Sequence, residues 1–158
     1  MARTPAEIIE DYRSEYLDII GFYVTVDGYD EKLEYSETMD PMPEKIHLVL
    51  PEYCTYNLVL RYRVKKRPIK NLSYYQAVKK AGIPIKTRKM DFGDVEPNAP
   101  GEYHTAVFVP DTLPGGMFTR GTHPATTTFS EEDGKTIFAF NWFIEIAKKD
   151  VKPSVKLD

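Results

Sequence analysis

Residues 115–150, GGMFTRGTHPATTTFSEEDGKTIFAFNWFIEIAKKD, decide the fold. They read as two strands of a β-hairpin. Strand alternation gathers Phe138, Phe140, Trp142, Ile144 and Ile146 on one face of the second strand, with Ile137, Ala139, Asn141, Phe143 and Glu145 on the other. So much aromatic surface has to be covered. Rings on the inside of two stacked sheets can interlock, or they can hold the layers apart far enough to admit an apolar guest. Between the strands, residues 130–135 (SEEDGK) form a polar hairpin turn with glycine where a positive φ is tolerated. Pro124, inside an otherwise strand-like run, predicts an edge position or a bulge.

Working outward, turn residues recur at a spacing of roughly ten from Phe22 onward, the pattern of an all-β sandwich. Strands are expected at 22–26, 45–50, 56–65, 72–77, 83–92, 103–110, 116–129 and 136–148. The strongest is 56–64, where Tyr56, Leu58, Leu60, Tyr62 and Val64 alternate with Asn57, Val59, Arg61 and Arg63. Pro97, Pro100 and Gly101 mark one loop, and residues 110–116 another. Only the first twenty or so residues read as helix. Thr4 caps it, Pro5 suits its first turn and Glu7 completes a Thr-x-x-Glu capping box. Ile8, Ile9, Tyr12, Tyr16, Leu17, Ile19 and Ile20 then share one side, and Gly21 is expected to end it. This helix either packs on the body of the chain or docks on a partner. The expected organisation is a helical arm over 1–21 and a sandwich over 22–158.

At 158 residues the chain suits one domain with a core of its own. Its one cysteine, Cys54, has no internal disulfide partner and reads as a structural thiol. No run near the start resembles a signal peptide, and none is long enough to span a bilayer, so a cytoplasmic protein is expected. The net charge of −3 hides a segregation: residues 1–52 carry 13 acidic and 4 basic side chains, residues 53–92 carry 1 and 11, and residues 93–158 carry 10 and 6. The acidic first third would attract a basic peptide; the basic middle could meet phosphates, lipid headgroups or the chain's own acids.

Catalytic constellations are missing. His47, His104 and His123 have no metal-ligand spacing, and there is no GxSxG, P-loop, GxGxxG or HExxH motif. The expectation is a non-enzyme without cofactor or metal. Arg61, Arg63, Lys65, Lys66, Arg67 and Lys70, with Tyr62, Tyr74 and Tyr75 close by, would suit a nucleic-acid backbone. The acidic balance, pI about 5.7, opposes it.

The quoted residues resemble the immunoglobulin-like domain of Rho GDP-dissociation inhibitors. That family's late signature is a GM-x-x-RG segment, a Phe, an acidic turn, and a last strand with paired tryptophans before Ile-x-Lys-Lys-Asp. Here it is met by Gly116-Met117, Arg120-Gly121, Phe129, Glu131-Glu132-Asp133, Phe140-Asn141-Trp142 and Ile146-Ala147-Lys148-Lys149-Asp150. Upstream, 56–64 resembles a Tyr-x-Ile-x-Ile-x-Phe-x-Val strand, and Tyr74-Tyr75-Gln76 with Gly82-Ile83 resembles a Tyr-x-Gln…Gly-Val segment. The likeness covers about residues 45–150.

The resemblance implies an immunoglobulin-like β-sandwich with a short N-terminal helical arm. It implies a carrier that buries the geranylgeranyl group of a GDP-bound Rho-family GTPase, extracts it from the membrane surface and inhibits GDP release, as a monomer forming a 1:1 heterodimer. The lipid-lining set is then Leu58, Leu60, Tyr62, Tyr74, Phe118, Phe140, Trp142 and Ile144. GTPase contacts fall on Ile8, Ile9, Tyr12 and Tyr16, with Glu10, Asp11, Glu15, Asp27, Asp30 and Glu31, then Asp94, Glu96 and Glu102, facing the basic tail before the prenylated cysteine. Two departures stand out. Phe140 replaces the first tryptophan, and about twenty residues precede the first expected strand where the family carries a longer two-helix arm, so either switch contact is partial or the sequence is a piece of a longer protein. The competing readings are a general prenyl or acyl carrier of the same fold without nucleotide sensing, and an adhesion or scaffold module with a solid core.

Overall fold

The computed structural model describes residues 3–157, leaving the outermost residues of both expected segments (1, 2 and 158) outside it. A single short helix, α1 (Pro5–Glu10), precedes β1 (Leu17–Val26), β2 (Lys32–Ser36), β3 (His47–Pro51), β4 (Thr55–Val64), β5 (Ile69–Lys80), β6 (Ile83–Val95), β7 (His104–Val107), β8 (Asp111–Thr112), β9 (Gly121–Ser130), β10 (Thr136–Ala147) and β11 (Ser154–Val155). The strands form two sheets. One runs β2-β1-β4-β7, with β8 also pairing β4; the other runs β11-β3-β10-β9-β5-β6. Among the described residues β3 and β10 alone pair in parallel; every other ladder is antiparallel. This is the expected all-β, immunoglobulin-like sandwich.

Every expected strand is present with shifted ends, and β2, β8 and β11 were not foreseen. The expected strand 116–129 begins only at Gly121, because Thr119 and Arg120 both donate backbone N–H to the Gly116 carbonyl and close a turn. Pro124 sits opposite Phe143 in the β9–β10 ladder, one residue past the last β5 pairing, Val78 with Ala125. Its missing N–H therefore falls where the ladder to β5 has ended.

The helix is much shorter than expected. Its capping box is present: Thr4 Oγ1 accepts from the Glu7 N–H, and Glu7 Oε1 accepts from the Thr4 N–H. Yet it stops at Glu10, and Leu17, Ile19 and Ile20 are strand residues. Ser14 Oγ accepts from the Leu17 N–H, and the Asp18 carboxylate accepts from the Ser14 N–H, so a tight turn replaces the second half of the helix. Asp18 is buried and anchors that turn to β4, with Lys65 Nζ at 2.9 Å and the Arg63 guanidinium at 3.7 Å. The β-branched run that follows suits a strand paired on both sides.

Gly21 is interior to β1, not a helix end. It lies at a register shift in the β1–β4 ladder, and a Cβ built there would sit 2.5 Å from the Tyr35 carbonyl oxygen. Only glycine lets β2 approach this closely. The open edges are tied by Lys86 of β6, whose ammonium donates to Asp111 Oδ1 of β8 at 2.8 Å.

Two predictions follow from these contacts. Gly21→Ala should destabilise the chain by about 1–3 kcal/mol in urea unfolding, since backbone has to move to admit the methyl; an unchanged midpoint would mean that β2 is free to shift. Burial acts to raise the Asp111 pKa, but the bond from Lys86, its charge and the Thr112 N–H outweigh that and hold it below its ordinary 3.8. A depressed carboxylate contributes stability above its unfolded value and loses it as pH falls through the folded one. Asp111→Asn should therefore flatten the stability curve below about pH 4, with little change of slope above that.

Candidate functional site

Between the sheets is a cavity with about 50 Å³ of open space. One wall is built by Phe22 and Val24 of β1 with Tyr56, Leu58 and Leu60 of β4. The other is built by Ile46, Leu48 and Leu50 at β3, Tyr74 and Gln76 of β5, Thr127 of β9, and Phe140, Trp142 and Ile144 of β10. Period-2 alternation on six strands turns these side chains inward. The cavity is displaced toward one end of the sandwich, where β1 finishes and β4 starts. The opposite half is filled: Tyr62 stacks on Phe92 at 5.2 Å, while Phe108 and Phe129 meet Tyr74 edge to face.

The aromatic polar groups of the lining are paired. Trp142 Nε1 donates to Thr127 Oγ1 at 3.0 Å, the Tyr74 hydroxyl donates to Gln76 Oε1 at 2.5 Å, and the Tyr56 hydroxyl donates to Asp111 Oδ2 at 3.3 Å. Burial pushes the Tyr74 phenol up to about 12 and the Tyr56 phenol higher still, so both stay neutral at physiological pH. What is left is an apolar slot with no charged side chain in its lining.

Six of the eight expected lining residues meet here: Leu58, Leu60, Tyr74, Phe140, Trp142 and Ile144. Tyr62 does not, because it belongs to the filled half of the core. Phe118 does not either; it is 65 % exposed on the turn before β9. The remaining lining residues were missed in the sequence. Phe22, Val24, Leu48 and Leu50 have the alternation of an inward face, but nothing in the sequence says which strands lie opposite β10.

The expected GTPase contacts are spread over several surfaces. Ile8 and Tyr12 are buried in the core, and Tyr12 packs edge-on against both Phe140, at 5.4 Å, and Tyr35, at 5.5 Å. Ile9 and Tyr16 are partly exposed, with Arg67 4.2 Å over the Tyr16 ring. Glu10 is exposed, Asp11 pairs with Arg3 at 2.9 Å, and Glu15 lies 3.4 Å from Lys66. These three lie near the start of β1. Asp27, Asp30 and Glu31 sit at its far end, in the turn to β2, where Glu31 pairs with Lys152 at 2.6 Å. Asp94, Glu96 and Glu102 belong to the end where β4 finishes: Asp94 accepts from the Asn71 N–H, Glu96 O lies 2.7 Å from His104 Nε2, and Glu102 O accepts from Arg63. The first acidic group is thus split between opposite ends of a ten-residue strand, and the later acids lie with Glu10, Asp11 and Glu15.

Other groups considered in the sequence are structurally used. Burial pushes the Cys54 thiol up to about 11, which disfavours the reactive thiolate. His123 is buried with Nε2 2.6 Å from the Thr119 carbonyl, and no cluster of His, Cys, Asp and Glu among the described residues could hold a metal ion. Nor is any described helix long and apolar enough to cross a membrane.

A β-sandwich with an apolar slot between its sheets defines the class. The family model for RHO protein GDP dissociation inhibitor matches residues 2–149, and the chain belongs to that family. Rho GDP-dissociation inhibitor 1 of Arabidopsis thaliana is 30% identical over 107 residues, covering 68% of this chain and 44% of that protein. The Rho GDP-dissociation inhibitor of Saccharomyces cerevisiae is 31% identical over 101 residues, 63% of this chain and 50% of its own. The chain thus spans about half the length of the curated relatives it matches. Among solved structures, a Niemann-Pick type C2 protein from Japanese carpenter ant superposes with a TM-score of 0.52 at 11% identity, over 85% of this chain and 95% of that one, a likeness of fold.

The indole bond gives a direct check on the slot. Thr127→Val keeps the shape and leaves a buried indole N–H unpaired, so urea unfolding should show a loss of about 1–3 kcal/mol. Thr127→Ser should recover most of it.

Proposed function

We propose that this chain is a Rho GDP-dissociation inhibitor that carries a geranylgeranylated Rho-family GTPase, with the isoprenoid held in the slot between the sheets. The observation that supports it most is that slot: apolar side chains from both sheets, the Trp142, Tyr74 and Tyr56 polar groups paired, and Trp142 in its wall. Each buried CH₂ contributes about 0.8 kcal/mol, so a twenty-carbon isoprenoid gains on the order of 10 kcal/mol over water and can be held against a bilayer. The open space now holds one or two waters' worth of volume, at about 30 Å³ each. Loading therefore proceeds by side-chain swing and sheet separation. Half-buried Leu58 and Phe140 have most room to move.

No bond is made or broken in this reading. The chain works in the cytoplasm without a cofactor, as a monomer that forms a 1:1 complex and meets the membrane surface transiently. Acidic groups from the proposed set receive the basic tail that precedes the lipidated cysteine.

A second reading is favoured by one observation. Ile8 and Tyr12, which would grip a GTPase from a helical arm, are spent on the chain's own core. A carrier that recognises the lipid and ignores the nucleotide follows from that.

Binding of the purified chain to a geranylgeranylated GTPase loaded with GDP tests both, beside the same GTPase without lipid, the GTP-analogue form, and Trp142→Ala. Tight binding that needs the lipid and weakens at least tenfold in Trp142→Ala is expected. Preference for GDP keeps the inhibitor reading; equal affinity for both nucleotides favours the second. Equal or absent binding with and without lipid would sink both.

A further inference from the structure

At the end of the sandwich toward which the slot is displaced, two turns project side by side. The turn 115–120 carries Met117, 86 % exposed, and Phe118, 65 % exposed; the hairpin joining β5 and β6 carries Ile83, 64 % exposed. Lys80 joins them, with its ammonium 4.1 Å over the Phe118 ring and donating to the Phe118 carbonyl. Tyr53, 53 % exposed, backs the first turn: its ring lies against Gly115, where a Cβ would be 2.4 Å from ring carbon, and Lys149 stands 5.5 Å over its centroid. The turn is fixed from beneath, as Gly116 N–H donates to Glu52 Oε1 at 2.7 Å and Arg120 pairs with the same carboxylate. An apolar tip is thus presented on a rigid mount.

Soluble surfaces expose single apolar residues routinely, but four together on adjoining turns mark an interaction site. The company they keep selects the partner. Lys79, Lys80, Lys148 and Lys149 lie on these turns or next to them in sequence, Glu52 is occupied beneath the tip and Asp150 is exposed beside Lys149; the exposed acids Asp27, Asp30 and Glu31 share this end but stand on the turn after β1 in the other sheet, with Glu31 held by Lys152. Lysine is depleted from protein–protein interfaces. Lysine with an aromatic ring and aliphatic side chains is the composition of a membrane interface, where rings enter the headgroup layer and the ammonium groups snorkel to lipid phosphates. We propose that this end is an anionic-membrane docking tip, with Met117, Phe118 and Ile83 entering the headgroup layer and Lys80 and Lys149 reading lipid charge. The net charge of −3 opposes a membrane at long range, so attraction is confined to the contact and is salt-sensitive. Docking needs no cargo. It stands or falls apart from the carrier reading.

The test is co-sedimentation of the full chain, without GTPase, with vesicles of phosphatidylcholine alone or with added phosphatidylserine. Binding to the anionic vesicles only is expected, falling as salt rises. Met117→Ser with Phe118→Ser should weaken it at least tenfold, as should Lys80→Glu with Lys149→Glu, given about fivefold per lysine. Both variants should keep the wild-type melting temperature and the affinity for geranylgeranyl-cysteine, so a lost fold or slot is told apart from a lost tip. No binding by the wild type, equal binding to neutral vesicles, or binding that survives either pair of substitutions overturns the proposal.

Discussion

The inner face of β10 is the constraint on which the rest depends. Phe140, Trp142 and Ile144 project from a strand in the middle of its sheet, flanked by β3 and β9, so nothing on their own sheet can cover them. The opposite sheet has to, and β1 and β4 do so with Phe22, Val24, Leu58 and Leu60. Where both layers contribute rings, as at Tyr62, Phe92, Phe108 and Phe129, they interlock. Nearer the other end, Phe22, Val24, Tyr56, Leu58 and Leu60 of β1 and β4 face Phe140, Trp142 and Ile144 of β10, and the contact stays incomplete. The slot is a consequence of which residue sizes fall opposite one another.

Leaving that space open costs little. At about 24 cal/mol per Å³, a 50 Å³ void costs about 1 kcal/mol, a fraction of a typical domain's stability. An unpaired polar group in the lining would cost as much or more each, and would invite water that a lipid then has to displace. The pairings of Trp142 with Thr127 and Tyr74 with Gln76 remove that cost. An apolar, slightly underpacked slot can yield to a long apolar guest, because the guest restores contacts the void forgoes.

What the sequence disclosed and what it hid follow from the range of the interactions. Strand alternation is local, so β4 and β10 and their inward faces were legible, and so was the hairpin turn between β9 and β10. The capping box at Thr4 and Glu7 was equally local. The helix end was not: Ile19 and Ile20 suit either period, and the choice is made by Ser14 and Asp18 bonding to one another and to Lys65, far along the chain. Phe118 was expected in the slot as part of a strand running from 116, and the turn closed on the Gly116 carbonyl takes it out of the strand and leaves it exposed. Tyr62 shares a face with Leu58 and Leu60; only the opposing ring of Phe92 decides that its end of the sandwich is filled.

The first turn of the chain bears on the slot through one ring. Tyr12 packs edge-on against Phe140 and against Tyr35, which itself stacks on Phe22 at 5.6 Å. Phe140 and Phe22 line the slot from opposite sheets, so Tyr12 sits as a wedge at the seam between them. Burying Tyr12 and Ile8 contributes about 1.5–3 kcal/mol each. A guest that swings Phe140 outward works against that packing, and any partner that draws the arm away loosens the wall by the same amount, because coupling free energies are reciprocal. Slot and arm are therefore linked through Phe140.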